Sequence, residues 1–303
     1  MISDEQYWEE QIHRIFPDLE VRDFELFQEG LVNDVLIVNN QWVIRFTKTD
    51  WGKELMGIED RLMQYLSPRL SLKVPIPIKR GEGILVSELL GGKDFLRKNW
   101  LDADLGTKDR LAKQLGTFLT ELHQAPSPDL DWEIPLTLAP VTYETWLDIY
   151  QRVKEKVCPL LLPHQVSWMN DLFETAFSTR HFFDFDPVLI HGDLGPYHLL
   201  YDGEEKRLNA VIDFAMAGIG DPATDLGGLI GHYGEGLVSG IRPYYPLYDE
   251  LIPRARFYAQ AAEVHWALLG VESGEIYWFT AHLGDPKDID VHCNDDRQTP
   301  ELV

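Results

Sequence analysis

Positive charge is scarce in this chain: 27 lysines and arginines stand against 50 aspartates and glutamates, leaving a net charge of −23. Nucleic acid and anionic membrane both require a cationic face, so neither is an expected partner. The acidic excess serves first as a solubilising surface, and a clustered part of it would attract a polycationic small molecule. Long apolar runs are missing too. No stretch approaches the roughly 18 uninterrupted apolar residues of a membrane span. Met1-Ile2-Ser3-Asp4-Glu5 has no basic region leading into an apolar core, so no signal peptide is expected. Cysteine is nearly absent: Cys158 and Cys293 lie far apart and outside any metal-type spacing, which fits reduced thiols and a cytoplasmic location.

What the chain does have is an ordinary globular composition. Hydrophobic residues make up 45% of its 303 positions and charged residues 25%, a length that predicts about two domains at roughly 100 to 200 residues each. Trp8, Ile12, Ile15 and Phe16 recur at helical spacing before Pro17, behind a capping pair at Ser3 and Gln6. Phe24–Phe27, Val35–Val38 and Trp42–Phe46 read as short strands of an antiparallel meander, with a tight turn at Asn39-Asn40. Leu55, Ile58, Leu62 and Leu66 give a helix stopped by Pro68, and strands follow at Ile76–Lys79 and Ile84–Leu89. Gly91-Gly92 marks a hinge. Beyond it the pattern turns helical, with apolar faces on Leu111–Leu122, Tyr143–Val153 and Val166–Phe177. Short strands then return at Val188–Ile190, Leu199–Tyr201 and Ala210–Ile212, and helices run from Asp225 to about His282.

The chemistry is concentrated in Ile190-His191-Gly192-Asp193-Leu194-Gly195-Pro196-Tyr197-His198, followed by Val211-Ile212-Asp213-Phe214 and Gly220-Asp221-Pro222-Ala223-Thr224-Asp225. A carboxylate in a turn, a metal-binding residue five positions on and a second carboxylate ending the next strand are the parts needed to orient a hydroxyl and hold Mg²⁺ against nucleotide phosphates. Asp193, His198 and Asp213 fill those places. An isolated H-G-D triplet would be read as an aspartate in a tight turn; the two further motifs at their spacing favour phosphoryl transfer. On its own His198 is as readily a hydrogen-bonded structural histidine as a ligand, and magnesium's preference for oxygen makes it the odd member of the set.

The order of these elements and motifs resembles the aminoglycoside phosphotransferase family over nearly the full length, most closely across residues 186–226. That family carries H-G-D-x-x-x-x-N, then I-D-F or I-D-W, then G-D-P-x-x-D. The chain departs at one position, His198 in place of Asn, as in the 2″-aminoglycoside and macrolide kinases. The resemblance implies an α+β, bilobal, protein-kinase-like fold. Residues 1–90 would be a nucleotide-binding lobe with an antiparallel sheet plus helices, and residues 91–303 a larger, mainly helical lobe with the catalytic loop, metal and substrate site. Asp193 would accept or orient the proton of the acceptor hydroxyl, and His198 and Asp213 would hold Mg²⁺. His191 and Asp225 would brace the loop and Asp221 cap a helix.

In the first lobe, Val43-Ile44-Arg45 stands where kinases carry V-A-I-K. Arg45 is therefore expected on the nucleotide phosphates and paired with Glu59, with Glu54 the alternative partner. An arginine offers a planar fork in place of the usual point charge. Gly30 to Asn33 resembles the phosphate-covering loop, and Glu88 and Leu90 fall where family members contact the purine through backbone groups, so ATP and GTP are equally compatible. Glu235, Glu263, Glu272 and Glu275 are the acidic residues expected to meet ammonium groups of an aminoglycoside. Trp266, Tyr277, Trp278 and Phe279 keep a macrolide in view, and an amino sugar or amino alcohol is the metabolite alternative. A nucleotide-binding regulatory pseudokinase is the rival of another class, opposed by the intact Asp193 and Asp213. Nothing in the sequence specifies an oligomeric state.

Overall fold

The structure is a computed structural model, and it describes residues 4–28, 32–125 and 132–284. These fall into two compact units, Met1–Ile134 with Pro196–Ala217, and Pro135–Gly195 with Gly218–Val303.

The first unit is built on a five-stranded antiparallel sheet in the order β1-β2-β3-β5-β4, made of β1 (Phe24–Phe27), β2 (Asn33–Val38), β3 (Trp42–Thr47), β4 (Pro77–Gly81) and β5 (Ile84–Glu88). Asn39 and Asn40, each at φ 51°, make the β2–β3 turn. Asparagine tolerates this left-handed region, and such a turn matches the twist of the strands it joins. Asn39 also ties the turn down, its Oδ1 accepting from the Arg22 and Asp23 amides while its Nδ2 donates to the Glu20 carbonyl. The expected helix before Pro17 is present as α1 (Asp4–Ile15); Ser3 of the expected capping pair lies outside the described residues. Trp8 and Ile12 of α1 pack with Leu36, Val38, Ile44 and Val86 into one core.

Helix α2 (Asp50–Leu66) starts five residues ahead of the first apolar position read from the sequence. Thr49 supplies the cap, its side chain accepting from the Gly52 amide. Met56, Glu59, Met63 and Leu66 recur every three or four residues and are buried. The unit continues through β6 (Lys93–Asp94), α3 (Arg97–Asp102) and α4 (Leu105–His123), and takes back β8 (Leu199–Asp202) and β9 (Arg207–Val211). In this smaller sheet β6 pairs with β8 and β8 with β9.

The second unit is mainly helical, with α5 (Tyr143–Lys156), α6 (Pro163–Ser178), α7 (Ala223–Tyr233), α8 (Glu235–Ile241), α9 (Tyr248–Ser273) and α10 (Ile276–Phe279). The strands β7 (Val188–Ile190) and β10 (Gly218–Gly220) pair antiparallel. Helix α9 buries residues on several faces, because α5, α6 and α7 all pack against it. Trp146, Phe173 and Phe257 form the aromatic centre, with Trp146–Phe257 and Phe173–Phe257 centroids 5.3 and 5.6 Å apart in edge-to-face geometry. Among the described residues, no helix is long and apolar enough to cross a membrane.

Candidate active site

In the first unit, strand register and one helix bring Arg45 and Glu59 together. Arg45 lies in the middle of β3, opposite Val35 and Leu85. Its guanidinium bonds the Glu59 carboxylate of α2 at 2.8 Å, with Glu59 only 2% exposed, so of the two candidate partners Glu59 is the one engaged. Burial alone would pull the Arg45 pKa down. The Glu59 charge and hydrogen bond, with weaker help from Asp213 and Asp60, outweigh that and raise it, so the arginine is a fixed cation.

Glu59 has a second task. The oxygen that meets Arg45 also accepts from the Phe214 amide at 3.2 Å, so one buried carboxylate holds the β3 cation and the backbone next to Asp213. Removing one partner of a buried pair of this kind costs about 3–5 kcal/mol, because the other charge is left without compensation.

Asp213 itself has φ 62°, a left-handed conformation that aspartate tolerates better than most residues. Its Oδ1 accepts from the Ala215 amide at 3.3 Å, and its Oδ2 lies 3.6 Å from His198 Nε2. His198 ends a short 3-10 turn, Pro196–His198, directly before β8. The two expected metal ligands therefore sit side by side. Asp213 keeps 47% of its side chain exposed, against 20% for His198, so the carboxylate is accessible to a ligand. Among the described residues no three His, Cys, Asp or Glu side chains gather as a metal cluster.

Of the other residues expected at the nucleotide, Gly30 lies outside the described residues. Asn33 opens β2 opposite Thr47, and its side-chain Oδ1 is buried with no hydrogen-bond partner among them. Glu88 ends β5 opposite Trp42, the Leu89 amide donates to the Gln41 carbonyl, and Leu90 follows the strand.

In the second unit, β7 runs into the turn His191-Gly192-Asp193. The buried Asp225 carboxylate accepts from the His191 amide at 3.0 Å and the Gly192 amide at 2.8 Å. His191 is fully buried, and its Nδ1 accepts from the Asp193 amide at 3.3 Å. Gly192 sits at φ 80°, which glycine enters without the penalty of a Cβ. The Asp193 side chain is left exposed at the tip of a turn whose backbone is held by the Asp225 carboxylate and the His191 ring.

Asp221 does more than cap a helix. Its Oδ1 accepts from the Ala223 amide, as a capping residue would, while Oδ2 accepts from Arg254 Nε at 2.7 Å and the Tyr258 hydroxyl at 2.9 Å. Sequence reasoning missed Arg254 and Tyr258. The available signal was an arginine within the apolar stretch of α9, which burial obliges to have a counter-ion. Burial pulls the Arg254 pKa down and Asp221 more than restores it; burial and Asp221 together push the Tyr258 hydroxyl well up.

The carboxylates expected to meet a cationic acceptor are separated. Glu235 receives two 2.7 Å hydrogen bonds from Arg256. Glu272 is held by Arg152 and Lys156, and the Arg152 hydrogen bonds lead in pulling its pKa down to about 2. Glu263 lies 3.1 Å from His282, and Glu275 is exposed ahead of α10. An ammonium group using Glu235 or Glu272 must compete with these guanidinium partners. Trp266 packs edge-on against Trp278, while Tyr277 is 72% exposed. A cavity of about 760 Å³ between α6 and α9 has Trp168, Asp171, Phe182, Arg256 and Gln260 in its wall; neither Asp193 nor any of the four carboxylates lines it.

In the first unit, the sheet with its buried Arg45–Glu59 pair and Asp213 beside His198, and in the second unit the braced H-G-D turn, are the parts of a kinase-like phosphotransferase. The chain belongs to the APH family, the phosphotransferase enzyme family, whose model matches residues 23–258. It is 23% identical over 228 residues to viomycin phosphotransferase of Streptomyces vinaceus, covering 70% of this chain and 75% of that one. The GDP and kanamycin complex of an APH(2″)-IIIa enzyme superposes with a TM-score of 0.79 at 25% identity, covering 92% of this chain and 96% of that chain. A macrolide 2′-phosphotransferase type I shares the fold, with a TM-score of 0.69 at 18% identity over 93% of this chain and 96% of that chain.

Proposed function

We propose that the protein moves the γ-phosphoryl group of ATP or GTP to a hydroxyl of an aminoglycoside-type antibiotic. The observation that carries this reading is the braced H-G-D turn, which presents the exposed Asp193 on a backbone fixed by Asp225 and His191. Phosphoryl transfer asks a protein for positioning and electrostatic stabilisation more than for covalent chemistry. Asp193 would accept a hydrogen bond from the acceptor hydroxyl and take its proton as the bond to phosphorus forms. Arg45, held by Glu59, would meet the phosphates, Asn33 and Gly30 are the further proposed phosphate contacts, and the Glu88 and Leu90 backbone would contact the purine. Residues 1–90 would then serve as the nucleotide lobe and 91–303 as the catalytic lobe. Glu235, Glu272 and Glu275 are the proposed contacts for the ammonium groups of the acceptor.

The residues present fit a magnesium ion. Magnesium takes one or two protein ligands and completes its shell with water and substrate phosphates, and Asp213 with His198 offers an accessible carboxylate beside an imidazole nitrogen. When bound, the ion would neutralise charge on the phosphates. His198 is expected to serve as an accessory ligand. His198→Asn puts an amide oxygen where the imidazole nitrogen stands and should retain measurable transfer, while His198→Leu should lose it. Steady-state rates of the two variants check this, and equal rates would remove His198 from the metal site.

The deciding experiment follows Mg²⁺-dependent consumption of ATP and of GTP with kanamycin, viomycin, a macrolide and an amino alcohol in parallel. Phosphorylated kanamycin with little turnover of the others is the expected result. Preferred transfer to the macrolide or the amino alcohol would replace the acceptor class. Nucleotide binding with no transfer to any acceptor would favour the regulatory pseudokinase.

A further inference from the structure

The catalytic turn rests on α7, and only part of that support belongs to the Asp225 contact already described. A methyl group built on Gly228 would lie 2.7 Å from the Leu194 carbonyl oxygen, so α7 passes directly under the residue after Asp193. A methyl built on Gly195 would lie 2.9 Å from both Cδ2 and Nε2 of the His232 ring. Asp225, Gly228 and His232 stand at i, i+3 and i+7, a spacing that puts them on one helix face. Successive turns of α7 thus meet His191-Gly192, Leu194 and Gly195. The first contact is a pair of hydrogen bonds, the second a close backbone approach and the third a side-chain ring laid over a glycine.

We propose that His232 is a positioning residue of the phosphotransfer reaction, its ring pinning Gly195 and thereby fixing where the turn aims Asp193. The inference rests on the role given to Asp193 above. Two physical points support it. Asp225 and His191 secure the turn on the N-terminal side of Asp193, whereas on the C-terminal side Leu194 and Gly195 have α7 against them. His232 is also exposed on the last turn of its helix, so the protein core does not require this ring, although Gly195 has room for it only because it lacks a side chain. Errors of about 1 Å in the placement of a reacting group cost up to roughly 100-fold in rate, which is the scale on which a loosened turn would be felt.

The test compares His232→Ala, His232→Phe, Gly195→Ala and the double variant Gly195→Ala/His232→Ala, with two readouts. Backbone amide exchange over residues 192–195 needs no acceptor, and steady-state kinetics use the nucleotide and acceptor that the wild type turns over. His232→Ala should speed exchange in the turn and lower kcat by about 10- to 100-fold, with both KM values within about twofold. His232→Phe, which keeps a planar ring, should restore both readouts most of the way. The double variant should be no worse than the poorer single one, because the new methyl occupies space that the ring vacated. Wild-type exchange and turnover in His232→Ala would overturn the proposal, as would a phenylalanine variant as poor as alanine or losses that multiply in the double variant. Were Asp193→Asn to keep full turnover, the reading of Asp193 would fall by itself, and the exchange data would still judge the His232 contact.

Discussion

Replacing Asp213 with alanine or with asparagine should lower phosphoryl transfer by at least about a thousandfold. The size follows from the role. A metal that neutralises phosphate charge contributes several kcal/mol to the transition state, and each 1.4 kcal/mol lost is about a factor of ten. The two variants separate chemistry from folding. Asp213 occupies the left-handed region at φ 62°, where alanine is strained by about 1–2 kcal/mol and asparagine is at home. Asparagine also keeps the Oδ1 acceptor that the Ala215 amide uses. Asp213→Asn should therefore melt within a few degrees of wild type and still fail to transfer phosphate, while Asp213→Ala should fail and lose some stability as well. Kinetics across a magnesium titration, paired with thermal denaturation, provide the check. Turnover of Asp213→Asn within a few-fold of wild type would remove Asp213 from the metal site.

What the sequence revealed and what it hid divide along the distance over which each contact acts. Strands β1 and β7 are read at their observed limits, because each is a short apolar run between turn-forming residues. Lys93-Asp94 and Gly218-Ile219-Gly220 carry no such pattern. They are strands only because Leu200-Tyr201 and Val188–Ile190 lie beside them, pairings that local propensity does not encode. The start of α2 was legible in Thr49, a standard capping residue, but the apolar periodicity began later and drew the boundary with it.

The site divides in the same way. The Arg45–Glu59 pair follows from a strand and a helix adjacent in sequence, so spacing announces it. The second hydrogen bond of Glu59 reaches the Phe214 amide, 155 residues away, and no spacing rule predicts it. Asp221 shows both cases in a single residue: its bond to the Ala223 amide is local and readable, while Arg254 and Tyr258 arrive from a helix whose packing decides the contact. The acidic residues near the C-terminal end were legible as charges and illegible as contacts, because only the folded chain shows that Glu235 meets Arg256 and that Glu272 meets Arg152.

Asp193→Asn is expected to lower transfer by roughly 10²- to 10⁴-fold, the range of a positioned general base, and to leave the binding of magnesium nucleotide nearly unchanged. The substitution is almost isosteric, and the contacts that hold this turn run through the amides of His191, Gly192 and Asp193 to the Asp225 carboxylate and the His191 ring. An amide side chain at the exposed tip leaves those contacts in place and removes the ability to take a proton. Single-turnover rates at saturating nucleotide isolate the chemical step, and nucleotide affinity measured without acceptor isolates binding. A fall in the first with the second intact would place Asp193 at the acceptor hydroxyl. A large loss of nucleotide affinity with unchanged turnover at saturation would make the residue part of the nucleotide site, and the acceptor proton would then need another base.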